Sequence, residues 1–224
     1  MLIHQTFFQV NSFCKTNPWT VLCLFVSYLV LEGISFIFDN HAETFFSIFG
    51  YLAIFSVTVT LFAADMKLFE PSIKFTAAKK HFWATVIVYF IVVLVMVFFF
   101  FIFVFLGLQF SSKVNVESLV ISPWFIACSS FFVCWLMIRL STYIPLSHLP
   151  AETRPTLVKS YISSRRINRD IFLLAFIETL LGLQMFFDST SLFFEAMVTA
   201  LYSVISIFSA GFIVTAGKKL YTEV

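Results

Sequence analysis

The chain has 224 residues, of which 60% are hydrophobic, 12% are charged and 33 are phenylalanine, and its formal net charge is +2. Soluble domains carry about a quarter charged residues, so this composition excludes an ordinary water-soluble protein. The small net charge argues against nucleic-acid partners, and the four cysteines lack C-x-x-C spacing. We therefore expect no disulfide, no metal and no other cofactor.

The N-terminal segment predicts a short helix lying in the membrane interface. Ile3, Phe7, Val10 and Cys14 fall on one helical stripe, and Asn17-Pro18 then breaks the chain. A disordered tail is the alternative. No Lys or Arg precedes Lys15 and no small-residue cleavage site follows the first apolar run, so we expect no signal peptide and expect the first span to remain as an anchor.

Six apolar stretches follow, each long enough for a transmembrane helix. They cover residues 19–38, 45–64, 83–108, 124–144, 171–187 and 192–216. Because lipid cannot satisfy free backbone groups, these spans should be helical. The sequence predicts an all-α polytopic membrane protein with six transmembrane helices in a single domain, residues 1–224.

The basic residues predict the orientation. If both termini are cytoplasmic, the outer loops hold only Lys113, Arg139 lies inside the fourth span, and all other basic residues lie on the inner side. These are Lys15, Lys67, Lys74, Lys79, Lys80, Arg154, Lys159, Arg165, Arg166, Arg169, Lys218 and Lys219. The positive-inside rule therefore predicts an N-in, C-in topology.

A basic cytoplasmic loop at 148–170 follows the fourth span, which we expect to break at Pro145. Within it, residues 155–169 predict a second interfacial helix, with Pro155 as its first residue and an apolar stripe of Leu157, Val158, Tyr161 and Ile162. We expect a group of basic side chains to contact anionic lipid headgroups or a partner protein. They are Lys159, Arg165, Arg166, Arg169, Lys79 and Lys80. Alternatively, these charges only fix the topology.

Four ionisable residues fall inside predicted spans, where they are costly and invite a functional hypothesis. Arg139 and Glu178 lie at similar depth on consecutive spans, so we predict a buried ion pair that locks spans four and five. The alternative is transport, with Glu178 carrying protons or Arg139 binding an anion. Glu32 and Glu195 lie nearer the outer face and could extend a polar path.

Enzyme signatures are missing from the sequence. It contains no H-E-x-x-H, P-loop or G-x-G-x-x-G motif. The histidines at positions 4, 41, 81 and 148 fall on both sides of the predicted membrane, so we expect that they do not converge. We predict that the protein is not an enzyme.

Residues 135–176 resemble bacterial inner-membrane proteins of the YciC kind and the membrane domain attached to some glycerophosphodiester phosphodiesterases. The matching residues are Arg139-Leu140-Ser141, Pro145, Ser160-Tyr161, Arg165, Arg166 and Arg169. Many members have Trp in place of Tyr161 and a Gly in the following turn. The resemblance implies a multi-pass protein of the inner membrane, without phosphodiesterase activity because that domain is absent.

The leading functional prediction is a non-catalytic interaction, accessory or envelope-maintenance component whose basic inner surface meets lipid headgroups or another membrane protein. Two alternatives stay open. One is a small transporter or permease that uses Glu178 and Arg139. The other is an immunity protein or a subunit of a larger membrane complex.

Overall fold

The computed structural model describes residues 2–37, 41–110, 123–184 and 192–222. Within these ranges the side chains at 32–37, 41–46, 71, 103–104, 106–110, 123–124, 182–184, 192–196 and 221–222 are not described. The described part of the chain is 89% helical and contains no strand. The all-α prediction is therefore confirmed.

The described residues form eight α-helices and three 3-10 turns, which are joined by turns and loops. The α-helices are α1 Leu2–Thr16, α2 Pro18–Ile37, α3 His41–Asp65, α4 Lys74–Phe110, α5 Pro123–Ser141, α6 Leu157–Ser163, α7 Asn168–Gln184 and α8 Leu192–Thr222. The 3-10 turns are Pro71–Ile73, Ile144–Leu146 and Ser164–Ile167.

Four helical segments among the described residues are long and apolar enough to cross a membrane. They are Ser47–Asp65, Lys74–Ile102, Phe125–Leu146 and Met197–Leu220. Leu2–Thr16 and Pro18–Leu31, bent by 105°, give a fifth if they are counted together. The predicted fifth span corresponds to α7, which has 17 residues and is not among these segments. Four to five of the six predicted spans therefore have a helical counterpart of sufficient length and composition.

Helix α8 lies at the centre of the bundle. It packs against α1, α2, α3, α7 and the 3-10 turn Ile144–Leu146, whereas α5 packs mainly on α7 and α4. Tyr28, Phe62, Val88 and Val214 are fully buried in the main core. Helix α4 is the most peripheral of the four segments long enough to span a membrane, with 17% of its apolar window buried against 50% for α8.

Helix α1 confirms the predicted helix before Pro18, and one of its faces is buried against the bundle. Leu2, Thr6 and Phe13 are buried, whereas Phe7 is 60% exposed. Helix α1 packs on α8, where Val10 contacts the backbone at Gly211. The interfacial position of this helix stays a prediction. The N-terminus is held by Asp170 of α7, whose carboxylate accepts hydrogen bonds from the Leu2 and Ile3 backbone N–H groups at 3.3 and 3.5 Å.

The chain between α5 and α7 is broken into short elements. Helix α5 ends at Ser141 and Pro145 lies in a 3-10 turn, so the predicted break is confirmed. Helix α6 begins at Leu157 instead of Pro155, because the hydroxyl of Thr156 caps it by accepting the Lys159 N–H at 3.1 Å. Helix α4 starts at Lys74, nine residues before the third predicted span, so the basic segment ahead of residue 83 is helical and not a loop.

Candidate functional site

One end of the bundle, called the basic end below, brings together α1, the turn after α3 with the start of α4, residues 142–170 and the C-terminal part of α8. Several hydrogen bonds connect these segments. The Lys218 ammonium donates to the Met66 carbonyl at 3.4 Å, and the Lys80 ammonium donates to the His148 carbonyl at 3.2 Å. The predicted site residues at this end fall into three groups with different surroundings.

Arg139 lies in an aromatic cage at the end of α5. Its guanidinium carbon is 4.9 Å from the centre of the Trp135 ring and 4.2 Å from that of Tyr161. Its Nε donates to the Ser164 hydroxyl at 2.9 Å and to the Tyr161 carbonyl at 3.3 Å. Only 5% of the residue is exposed. Arg139 thus attaches α6 and the following 3-10 turn to α5, and its charge is stabilised by ring faces and neutral oxygen atoms.

Glu178 does not pair with Arg139, which corrects the predicted ion pair. The carboxylate accepts a hydrogen bond from the Ser209 hydroxyl of α8 and also interacts with Cys134 of α5. Both charged residues lie in the described part of the chain, and neither contacts the other. The sequence placed them at similar depth, but Arg139 extends towards Ser164 and Glu178 faces α8.

His81 and His148 meet at the basic end, which corrects the expectation that the histidines do not converge. His81 Nε2 lies 3.3 Å from His148 Nδ1. On the other side of His81, Nδ1 lies 2.8 Å from the Thr60 hydroxyl. On the other side of His148, Nε2 lies 3.3 Å from the Leu68 carbonyl oxygen. Both histidines are buried, and the ring of Phe69 makes a T-shaped contact with each imidazole.

The turn after α3 places the Leu68 carbonyl against His148. Lys67 adopts a left-handed conformation with φ of 54°, and the Leu68 N–H then bonds the Ala63 carbonyl at 2.9 Å. This is a Schellman-type ending, in which a residue with positive φ turns the chain away from the helix axis. The turn therefore supplies a carbonyl acceptor at one end of the chain of hydrogen bonds.

The acceptor at Leu68 fixes the direction of the hydrogen bonds when both imidazoles are neutral. A carbonyl only accepts, so His148 carries its proton on Nε2 and its Nδ1 accepts from His81 Nε2–H. His81 Nδ1 must then accept the proton of the Thr60 hydroxyl. With one added proton on His81 Nδ1, this nitrogen donates to the Thr60 hydroxyl, which turns and donates to the Ser56 carbonyl 2.7 Å away. The hydrogen bonds from His81 to His148 and from His148 to Leu68 are unchanged. The cluster can hold a neutral state and a singly protonated state without moving heavy atoms.

Burial lowers the pKa of His148 from its ordinary value of 6.5. The Leu68 and Pro145 carbonyls act in the opposite direction and favour the charged ring, and the Lys80 ammonium disfavours it. Removal from water is the largest of these effects, so the neutral imidazole is favoured at neutral pH.

The predicted headgroup-contacting residues lie on the surface of the basic end. Lys79, Lys159, Arg165 and Arg169 are exposed. Lys80 and Arg166 are also exposed, although Lys80 bonds the His148 carbonyl. The four residues of the predicted apolar stripe of α6 have two different surroundings. Leu157 and Tyr161 pack on the core, whereas Val158 and Ile162 are 64% and 52% exposed.

The remaining predicted site residues, Glu32 and Glu195, belong to α2 and α8 at positions whose side chains lie outside the described residues. The polar path they would form stays a prediction. The histidine pair, by contrast, was detectable: positions 81 and 148 flank the inner ends of the third and fourth predicted spans. Two neighbouring spans joined by an outer loop bring such positions to the same side.

No known protein family, no curated protein and no solved structure matches this chain. The resemblance of residues 135–176 to inner-membrane proteins of the YciC kind stays a prediction.

Proposed function

We propose that this protein is a non-catalytic, six-span component of the bacterial inner membrane whose basic end lies in the cytoplasm and binds anionic lipid headgroups. Both termini then lie in the cytoplasm. The protein would act as an accessory or envelope-maintenance component, through its contacts with lipid and with a membrane-protein partner.

The observation that carries this proposal is the surface of α6 and the turn after it. Val158 and Ile162 point apolar side chains away from the protein, and Lys159, Arg165 and Arg169 are exposed around them. A helix that exposes apolar and basic side chains together is suited to the boundary between acyl chains and headgroups. Each basic residue near an anionic surface contributes about 1 kcal/mol of attraction.

The arrangement of Arg139 supports the same proposal. It ties α6 to α5 through Ser164 and Tyr161, and α5 belongs to a segment long enough to span the membrane. The exposed residues of α6 are therefore held at a fixed position relative to a spanning helix. Such a fixed surface is a better headgroup-binding element than a mobile loop, because less conformational entropy is lost on binding.

The proposal is tested by measuring which lipids the purified protein retains. We expect the full chain, extracted gently from a mixed membrane, to carry more phosphatidylglycerol than the membrane average. The double variant Arg165→Gln/Arg169→Gln should lose most of this enrichment. The matched control Lys15→Gln/Lys74→Gln removes two exposed charges elsewhere at the basic end and should retain it.

Equal losses in both double variants would mean that lipid retention depends on total basic charge and not on the α6 surface, and unchanged enrichment in both would mean that the charges act only as topological signals. The proposal would fail in either case. The same preparations discriminate the alternatives. A stoichiometric protein that co-purifies would favour a subunit or immunity role, and a tightly bound solute whose retention depends on Glu178 would favour transport.

A further inference from the structure

A cavity of about 450 Å³ opens at the basic end between α6 and the 3-10 turn after α5. Its wall includes Arg154 and Lys159, the hydroxyl residues Thr156, Ser160 and Ser163, and the carboxylate residue Glu152. Leu146 and Leu220 contribute apolar surface. The cavity is thus lined by two cations, one anion and several hydroxyl groups, with an apolar side against the bundle.

Ser160 is the residue in this wall that points to a ligand. Its side chain is only 5% exposed, and its hydroxyl has no hydrogen-bond partner among the residues that the structure describes. Burying a hydroxyl without a partner costs free energy, so such groups are rare in folded proteins. Two other hydroxyl groups of the wall have partners: that of Thr156 caps α6, and that of Thr142 donates to the Arg139 carbonyl at 2.8 Å.

The cations that line the cavity can still bind a ligand. Arg154 donates from Nη1 to the Ser147 carbonyl at 3.4 Å, and this contact uses one of its five N–H donors. The Lys159 side chain is exposed and bonds no described residue. A guanidinium, an ammonium and a hydroxyl on one wall are the donors that phosphate oxygens accept.

We propose that this cavity binds the phosphodiester of an anionic membrane lipid, with the Ser160 hydroxyl, Lys159 and Arg154 as its donors. This inference rests on the proposed function and assigns it one specific site. Two cations and one carboxylate give a net charge of +1, which matches a singly charged phosphodiester better than a doubly charged free phosphate. Val158 and Ile162 on α6, exposed beside the cavity, place its opening where acyl chains begin.

The test compares Ser160→Ala with the unmodified full chain in detergent, using native mass spectrometry to titrate dioleoyl phosphatidylglycerol. We expect affinity to fall about tenfold, the amount that loss of one hydrogen bond to a charged group gives. The melting temperature without added lipid should not fall, because the hydroxyl has no partner to lose. Lys159→Gln should weaken binding similarly. Ser27→Ala, at an exposed serine of α2, is the matched control and should bind normally.

Two further ligands identify the source of the phosphate. Dioleoylglycerol, which has the same chains without phosphate, should bind at least tenfold more weakly than phosphatidylglycerol. Inorganic phosphate should bind more weakly still. Equal binding of dioleoylglycerol, or affinity of Ser160→Ala within twofold of the unmodified chain, would overturn the site; equal binding of inorganic phosphate would overturn its assignment to a lipid.

The two proposals fail separately. Ser160→Ala keeps every charge of the basic end, and Arg165→Gln/Arg169→Gln keeps every residue of the cavity wall. If only the first variant loses affinity for the titrated lipid, the cavity stands and the wider headgroup-binding surface does not. If only Arg165→Gln/Arg169→Gln loses the enrichment of co-purified lipid, the wider headgroup-binding surface stands and the cavity site does not.

Discussion

Arg139 shows how a single buried cation can be held without a carboxylate. The Trp135 and Tyr161 rings lie within 4.9 and 4.2 Å of the guanidinium, and Nε has two oxygen acceptors. A ring face attracts a cation at less desolvation cost than an ion pair requires, since no second charge is buried. The planar guanidinium suits this cage, and a lysine ammonium cannot stack in the same way.

The first prediction concerns the coupling between Arg139 and Glu178. Arg139→Lys should lower the free energy of unfolding by about 1–3 kcal/mol, because it removes the stacking and the Nε hydrogen bonds. Glu178→Gln acts through Ser209, so the two effects should add to within about 0.5 kcal/mol. A double-mutant cycle on detergent unfolding measures this. A coupling energy well above about 0.5 kcal/mol would support the predicted ion pair between Arg139 and Glu178 and contradict this expectation.

A second prediction concerns the pH dependence that His148 contributes. Burial lowers the pKa of His148 below 6.5, so the unfolded chain takes up this proton first on acidification. The contribution of His148 to stability is therefore complete above pH 6.5 and falls as the pH drops below that value. The groups facing it are His81 and Lys80 of α4 and the carbonyls of Leu68 and Pro145.

Unfolding measured between pH 7.5 and about 5 checks this expectation. His148→Gln keeps an N–H donor for the Leu68 carbonyl but cannot titrate, so its stability should fall less steeply with acidification. His4→Gln, at an exposed histidine of α1, should follow the unmodified protein. If His148→Gln is as acid-sensitive as the unmodified chain, His148 is not the titrating group.

At the scale of elements, α8 organises the basic end through close approaches at glycine. A Cβ added at Gly217 would lie 2.6 Å from Cγ of Pro145 and 3.2 Å from the Thr142 carbonyl. The 3-10 turn therefore packs directly on the α8 backbone. This contact holds the chain between α5 and α6, and with it the histidine pair and the cavity wall.

The third prediction compares two glycine substitutions in helices. Gly217→Ala should lower the free energy of unfolding by about 1–3 kcal/mol, because the proline ring and a backbone carbonyl cannot move aside independently. Gly50→Ala meets only the flexible end of Leu31, with Cδ1 at 2.6 Å, and alanine favours the helix there. Its effect should be small. Thermal unfolding of both variants measures the difference, and equal losses would contradict this packing.

The elements also show what the sequence could reveal. Apolar runs predicted the helices because lipid-compatible stretches have one economical backbone structure, and Pro18 and Pro145 marked two breaks correctly. The start of α4 was missed because Lys74–Phe82 is polar enough to be taken for a loop, although it is helical. The partners of Arg139 depend on how α6 folds back onto α5, and the spacing of charges along the chain does not encode that.

For the molecule as a whole, the asymmetry of charge is the main organising feature. Lys80, Lys218, Arg139 and the segment from 154 to 169 all belong to the basic end, whereas α4 exposes phenylalanines such as Phe98 and Phe101 along its length. Such an apolar surface is suited to acyl chains, and a basic end is retained on the cytoplasmic side during insertion. This asymmetry of the described residues supports the proposed orientation, with the basic end in the cytoplasm.

The last prediction is the orientation itself. In a chain with its four native cysteines replaced by serine or alanine, Arg165→Cys should react with a membrane-impermeant maleimide only after the inner membrane is opened. Asp188→Cys, in a predicted outer loop, should react in intact spheroplasts. In the reversed topology all twelve basic residues predicted inside would have to be translocated to the outer side, which the positive-inside rule disfavours. Labelling of Arg165→Cys in intact spheroplasts would contradict the proposed topology. It would also contradict the proposal that this surface binds headgroups in the cytoplasm.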